Sequence, residues 1–201
     1  MIAVRDSKIA EVLNGARAVF LRCGYEGASV DAIAEEAKVS KATLYAHSPS
    51  KDRLFLNVVQ VECDRLSAEI SRPLSSVDDP RAILDELSRR MITLVMDDDY
   101  IRLLRSCIGA VPILPEAGEI YMEAGPRRAT RIVGEVLRGL HEARSLNVDS
   151  AYKAASQFIH LSVSGVIVPQ LLAVDQPIDA AEHSKRAVDV FLGAYSVGSN
   201  G

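Results

Sequence analysis

The chain has 201 residues, 48% of them apolar and 25% charged, with no Trp and a net charge of -4. That length holds one compact domain, or a small one joined to a larger, with a core of Leu, Ile, Val and Ala. No apolar run approaches the roughly 20 residues of a membrane span, and the first residues lack the apolar stretch of a signal peptide. Cys23, Cys63 and Cys107 lie far apart without metal or redox spacing, so a reduced cytoplasmic protein with ordinary core cysteines is expected.

The elements read as all helix, about nine of them, with no strand alternation between hairpin turns. Ile9, Leu13, Ala16 and Phe20 recur at helical spacing and predict a first helix from Asp6 to Cys23, stopped by Gly24. Ser29 caps a short second helix with Val30, Ile33, Ala34 and Ala37 on its inner face. A turn at Lys38-Val39 leads to Ser40, the cap of a third. Ser50 caps a fourth, which carries Leu54, Phe55, Val58 and Val61 and runs to Arg72-Pro73.

Ser75 to Pro80 reads as a loop ending in a capped helix start. Leu84, Leu87, Met91 and Leu94 stripe the next helix. Asp97-Asp98-Asp99 is then a helix-to-helix turn rather than a metal site, since no further acidic ligands can be placed. Ile101, Leu104 and Ile108 belong to a helix ending before Pro112. Pro115 opens another, which Gly125-Pro126 must break or kink. Residues 127–143 resume as helix. Asp149 to Ala173 is so apolar that a helix there must be buried on more than one side. Asp179 to Glu182 resembles a capping box and starts a last helix with Val188, Phe191, Leu192 and Tyr195.

The third helix carries the chemistry. Leu44 and Ser48 share one side, and Leu44 must face inward. Ala42, Ala46 and Thr43 lie roughly opposite, with Tyr45 and His47 on the shoulders. A small outward face admits close approach to another surface, the requirement for entering a DNA major groove. Thr43 and the Ala42 methyl are expected at base edges, Tyr45 and His47 at phosphates, and Lys41 at the helix N-terminus, where recognition helices touch bases. The backbone N–H groups near Ser29 and Lys51 are expected phosphate sites. Residues 1–53 hold 8 Lys+Arg against 7 Asp+Glu, or +1, and the remainder 15 against 20, or -5. The N-terminal part can therefore carry a local basic surface. Singly, each has a plainer reading: Tyr45 as packing against the first helix, and His47 and Lys51 as solvated surface groups. Their joint spacing carries the reading.

Gly24 to Phe55, "GYEGASVDAIAEEAKVSKATLYAHSPSKDRLF", resembles the helix-turn-helix of the TetR/AcrR family of transcriptional regulators. Pro115 to Arg128, "PEAGEIYMEAGPRR", is similar to the AefR-like branch. The resemblance implies a homodimer with two N-terminal reading heads and an effector pocket in a larger helical domain. Residues 1–50 are then the DNA-binding domain and 51–201 the effector-binding and dimerisation domain. Two departures stand out: Lys38 where the family's turn usually has Gly, and Ser48 where it usually has Phe. Lys38 is a further candidate phosphate contact.

The expected function is a ligand-responsive regulator of a near-palindromic, double-stranded DNA operator. Repression is the default that the resemblance implies, with activation left open. A small apolar or amphipathic effector is expected between the fourth helix and those around Leu84–Leu94, Ile101–Ile108 and Gln157–Val168. Candidate lining residues are Phe55, Val59, Glu62, Met91, Leu104, Cys107, Phe158 and Ser162. His160 reads as a satisfied core or interface histidine. The last two helices are expected to pair with a second copy. No cofactor, metal or membrane partner is expected, and no nucleophile elbow, zinc motif or phosphate loop suggests an enzyme. The alternative is a helical ligand-binding dimer whose head has lost DNA binding, which salt-sensitive operator binding separates from the first reading.

Overall fold

The computed structural model describes residues 2–75 and 79–197, and of residues 2–7 only the backbone. They form α1 (Ile2–Gly27), α2 (Val30–Glu36), α3 (Lys41–His47), α4 (Lys51–Ile70), α5 (Pro80–Val95), α6 (Asp98–Ala110), α7 (Glu116–Met122), a π turn (Glu123–Arg127), α8 (Arg128–Glu142), α9 (Ala151–Val163), α10 (Ile167–Leu171) and α11 (Ala180–Tyr195). An isolated bridge joins Leu146 and Ser196, and no strand occurs among the described residues. The all-helical expectation holds, with more short pieces than the nine expected, because α7 and α10 are only 7 and 5 residues long.

Local chemistry sets the boundaries. Gly24, at φ 72, marks the break near the end of α1. Side chains of Ser29, Ser40, Ser50 and Asp79 accept backbone N–H groups of Ala32, Thr43, Arg53 and Arg81, satisfying donors that a helix start leaves open. Asp179 accepts from Ala181 and Glu182. The Glu182 side chain pairs forward with Arg186, so the expected capping box is only half made. Gly125-Pro126 falls inside the π turn, which accommodates the proline without ending the helical path. The Thr130 hydroxyl donates to the Pro126 carbonyl at 2.9 Å. Of the expected loop, Ser76, Val77 and Asp78 lie outside the described residues.

The chain packs as two units. The first comprises residues 1–65 and 98–125, the second residues 66–97 and 126–201. This division by packing differs in kind from the division by role expected at Ser50. In the first unit α1 lies along α6 and also carries α2 and α3. Phe20, Tyr25 and Phe55 form an aromatic cluster, with Phe20 and Phe55 edge to face at 4.9 Å. Gly15 meets α2 at close range: a Cβ there would stand 2.6 Å from the Ala37 backbone nitrogen. In the second unit α5, α8, α9 and α11 enclose Leu84, Leu87, Val133, Leu137, Phe158 and Phe191. Phe158 and Phe191 meet edge to face at 5.1 Å. Arg90 closes the end of α4 by donating to the carbonyls of Ile70, Arg72 and Pro73.

Several details correct the helical-wheel expectations. Val61 and Ile108 are exposed, and Leu103 rather than Leu104 is fully buried on α6. Cys23 is exposed, while Cys63 and Cys107 are buried. The apolar run from Asp149 to Ala173 is not one buried helix. It breaks at Ser164-Gly165, where Gly165 has φ 73, and α10 buries none of its residues within the chain.

Two outcomes follow. Gly15→Ala is expected to lower stability by about 1–3 kcal/mol, because Ala37 backbone must shift to admit a methyl group; thermal melting checks this. Burial pushes the thiols of Cys63 and Cys107 up to about 12. A thiol reagent applied to native protein at neutral pH is therefore expected to label Cys23 alone, read by mass spectrometry.

Candidate nucleic-acid interface

α2 and α3 are joined by a four-residue turn whose geometry is that of a Schellman ending. The Val39 N–H donates to the Ala34 carbonyl and the Lys38 N–H to the Glu35 carbonyl, both at 3.0 Å, and Lys38 takes the left-handed position at φ 54. Glycine occupies such a position without a Cβ clash, so a lysine there costs about 1 kcal/mol. Its side chain stands exposed at the corner between the two helices.

α3 is anchored by Leu44, which is completely buried, and closed by Ser48, at 1% exposure. Both inward assignments made from the wheel hold. Ala42, Tyr45 and Ala46 are exposed, and Thr43 and His47 half-buried. Tyr45 keeps 49% of its surface, so it does not serve as packing against α1. The outward face is thus small side chains in the middle with a phenol on one shoulder, a shape that fits a groove floor and wall.

Three candidate residues have partners that the sequence could not show. Lys41 forms an ion pair with Asp31 of α2, and that carboxylate raises the lysine's pKa. The Thr43 hydroxyl shares a hydrogen bond with the Ser40 hydroxyl at 2.9 Å, leaving its methyl as the free part. The backbone N–H groups near Lys51 are the expected phosphate site, and its side chain has a separate task. Its ammonium donates to the carbonyls of Tyr25 and Ala28, at 3.0 and 3.1 Å, and lies 4.4 Å from the Tyr25 ring centre. Tyr25 in turn donates to Asp52 at 2.5 Å. Lys51 therefore fastens the start of α4 to the turn after α1, and two of its three N–H donors are engaged. Ser29 is exposed at the start of α2 with its oxygen used as a cap.

The expected effector residues divide between the units. Phe55, Val59, Glu62, Leu104 and Cys107 belong to the first, and Met91, Phe158 and Ser162 to the second. Phe55 is core, packed on Phe20 and Tyr25. Glu62 is buried and doubly paired, with Arg17 at 2.8 Å and Arg65 at 3.2 Å. Leu104 is half-buried and Cys107 fully buried. Met91 and Phe158 lie in the second core, and Ser162 donates back to the Phe158 carbonyl at 2.9 Å. His160 is exposed and bonded to the Ser156 carbonyl. No group of three or more potential metal ligands occurs among the described residues, and no described helix is long and apolar enough to cross a membrane.

Lys38→Gly is expected to raise the melting temperature by about 2–4 °C, the equivalent of about 1 kcal/mol in a chain of this size. Lys51→Met keeps the apolar stem but leaves the Tyr25 and Ala28 carbonyls without their donor, and is expected to lower it.

Comparison with known proteins agrees with this geometry. Residues 12–58 match the N-terminal domain of bacterial regulatory proteins of the tetR family. Residues 82–197 match the C-terminal domain of AefR-like transcriptional repressors. The transcriptional activator FasR of Mycolicibacterium smegmatis is 34% identical over 107 residues, 48% of this chain and 49% of that protein. The chain thus spans about half the length, or less, of the curated relatives it matches. A regulator from Mesorhizobium loti superposes with a TM-score of 0.89 at 27% identity, covering 96% of this chain and 98% of that one. The flavonoid-responsive regulator FrrA superposes at 0.80 and 27% identity, over 96% and 99%. The chain belongs to the TetR family of bacterial transcriptional regulators.

Proposed function

We propose that the chain is a cytoplasmic, ligand-responsive repressor that binds a near-palindromic operator as a homodimer. The observation that carries this reading is α3: a helix held from beneath by Leu44 and presenting Ala42, Tyr45 and Ala46 to solvent. Thr43 and Ala42 meet base edges, including thymine methyls. Tyr45, His47 and Lys38 reach phosphates. Lys41 reaches base or phosphate by exchanging its Asp31 partner for the duplex. Lys51 acts by fixing the start of α4, whose backbone N–H groups offer an anion site.

Repression is supported by the match of residues 82–197 to an AefR-like repressor domain. A small apolar or amphipathic effector is supported by the flavonoid-responsive neighbour. An effector alters operator affinity only as far as it binds the two head arrangements unequally. Dimerisation is supported by the apolar side chains left exposed on and around α10 and α11, among them Val168, Leu172 and Val190.

The test is selection of bound sequences from a random duplex pool with the purified protein, followed by salt titration of the best. A palindromic winner is expected, with affinity falling steeply as salt rises. Tyr45→Phe is expected to weaken binding of all sequences several-fold, whereas Thr43→Ala is expected to change the preferred base at one position in each half-site. Absence of any enriched sequence contradicts operator reading and leaves the ligand-binding dimer as the better account.

A further inference from the structure

A crevice of about 180 Å³ opens in the first unit beneath the end of α3, with Val12 and Leu13 of α1, Ser48, and Leu54 of α4 among its walls. Val12, Ser48 and Leu54 are each only 1% exposed and make its floor. Ile9 and Val61, which also line it, are large apolar side chains left 36% and 46% exposed. His47, Asn57 and Gln60 add polar groups to an otherwise apolar wall.

Ser48 is the unusual member. Its hydroxyl donates to the Ser50 carbonyl at 3.3 Å, long for an O–H···O bond. Among the described residues no donor reaches its oxygen. A hydroxyl oxygen can accept while its hydrogen is donated, so the Ser48 oxygen is available to a donor that enters the crevice. A dry cavity of about 150 Å³ accepts a benzene ring, so the volume here suits one ring bearing a small substituent.

We propose that this crevice is a binding site for single-ring phenols. The ring lies against Val12, Leu13 and Leu54, and its O–H donates to the Ser48 oxygen. The occupied site ties the end of α3 to α1 and α4, and His47 belongs both to this wall and to the outward-facing set on α3. The site stands whether or not α3 reads an operator, because it is tested without DNA.

The full chain is melted with phenol as the probe, and binding is measured in parallel by calorimetry. Phenol at ten times its dissociation constant is expected to raise the wild-type melting temperature by roughly 3–6 °C. Ser48→Phe fills the crevice with a covalent ring and is expected to abolish both the shift and the calorimetric signal. Ser48→Leu, a smaller filler, serves the same purpose should the Phe variant fail to fold. Ser48→Ala keeps the space without the acceptor and is expected to bind phenol about tenfold more weakly while retaining toluene. No binding to wild-type protein, or equal binding to wild type and both filled variants, overturns the proposal.

Discussion

Glu62 is a carboxylate taken almost wholly out of water, and the first unit depends on how it is neutralised. Arg17 of α1 binds it at 2.8 Å and also holds Asp99, in the first turn of α6, at 2.6 Å. Arg65 supplies a second cation from one turn further along α4. One guanidinium therefore links α1, α4 and α6 by charge. Removing one partner of a buried pair typically costs about 3–5 kcal/mol, because the remaining charge is stranded. Asp99 gains further from its place near the positive end of α6. Around this point lie the long contact of α1 with α6 and the Phe20–Tyr25–Phe55 cluster.

The consequence is a head that is more than three helices. α2 and α3 rest on α1, and α1 is bound to α6 in the same packed unit. α4 follows α3 directly in the chain. α6 is joined to α1 through Arg17 rather than through the chain. Glu62 is better understood as a member of this junction than as a contact that a ligand meets first.

Local signals in the sequence were sufficient for most of the architecture. The serine and aspartate caps, the Gly24 break and the Gly125-Pro126 irregularity are each determined by one or two neighbouring residues. Leu44 and Ser48 fell on the inner side because helical periodicity alone places them there. What escaped was non-local or multiply balanced. Nothing in the spacing of Lys51 shows that the Tyr25 and Ala28 carbonyls will capture it, or that Asp31 will hold Lys41. Arg17 and Asp99 are 82 residues apart. The apolar segment after Asp149 misleads because apolarity does not say whether burial occurs within the chain. Gly165 breaks it, and α10 buries none of its residues within the chain, Val168 standing 58% exposed.

The ion pairs at Glu62 hold α1 and α6 in one packed unit. Native-state hydrogen exchange on wild-type protein and Arg17→Met tests it most directly. The amides of α1 and α6 are expected to lose protection together in the variant, while α9 and α11, which pack around Phe158 and Phe191, keep theirs. Loss of protection in α6 alone, with α1 unchanged, would contradict it.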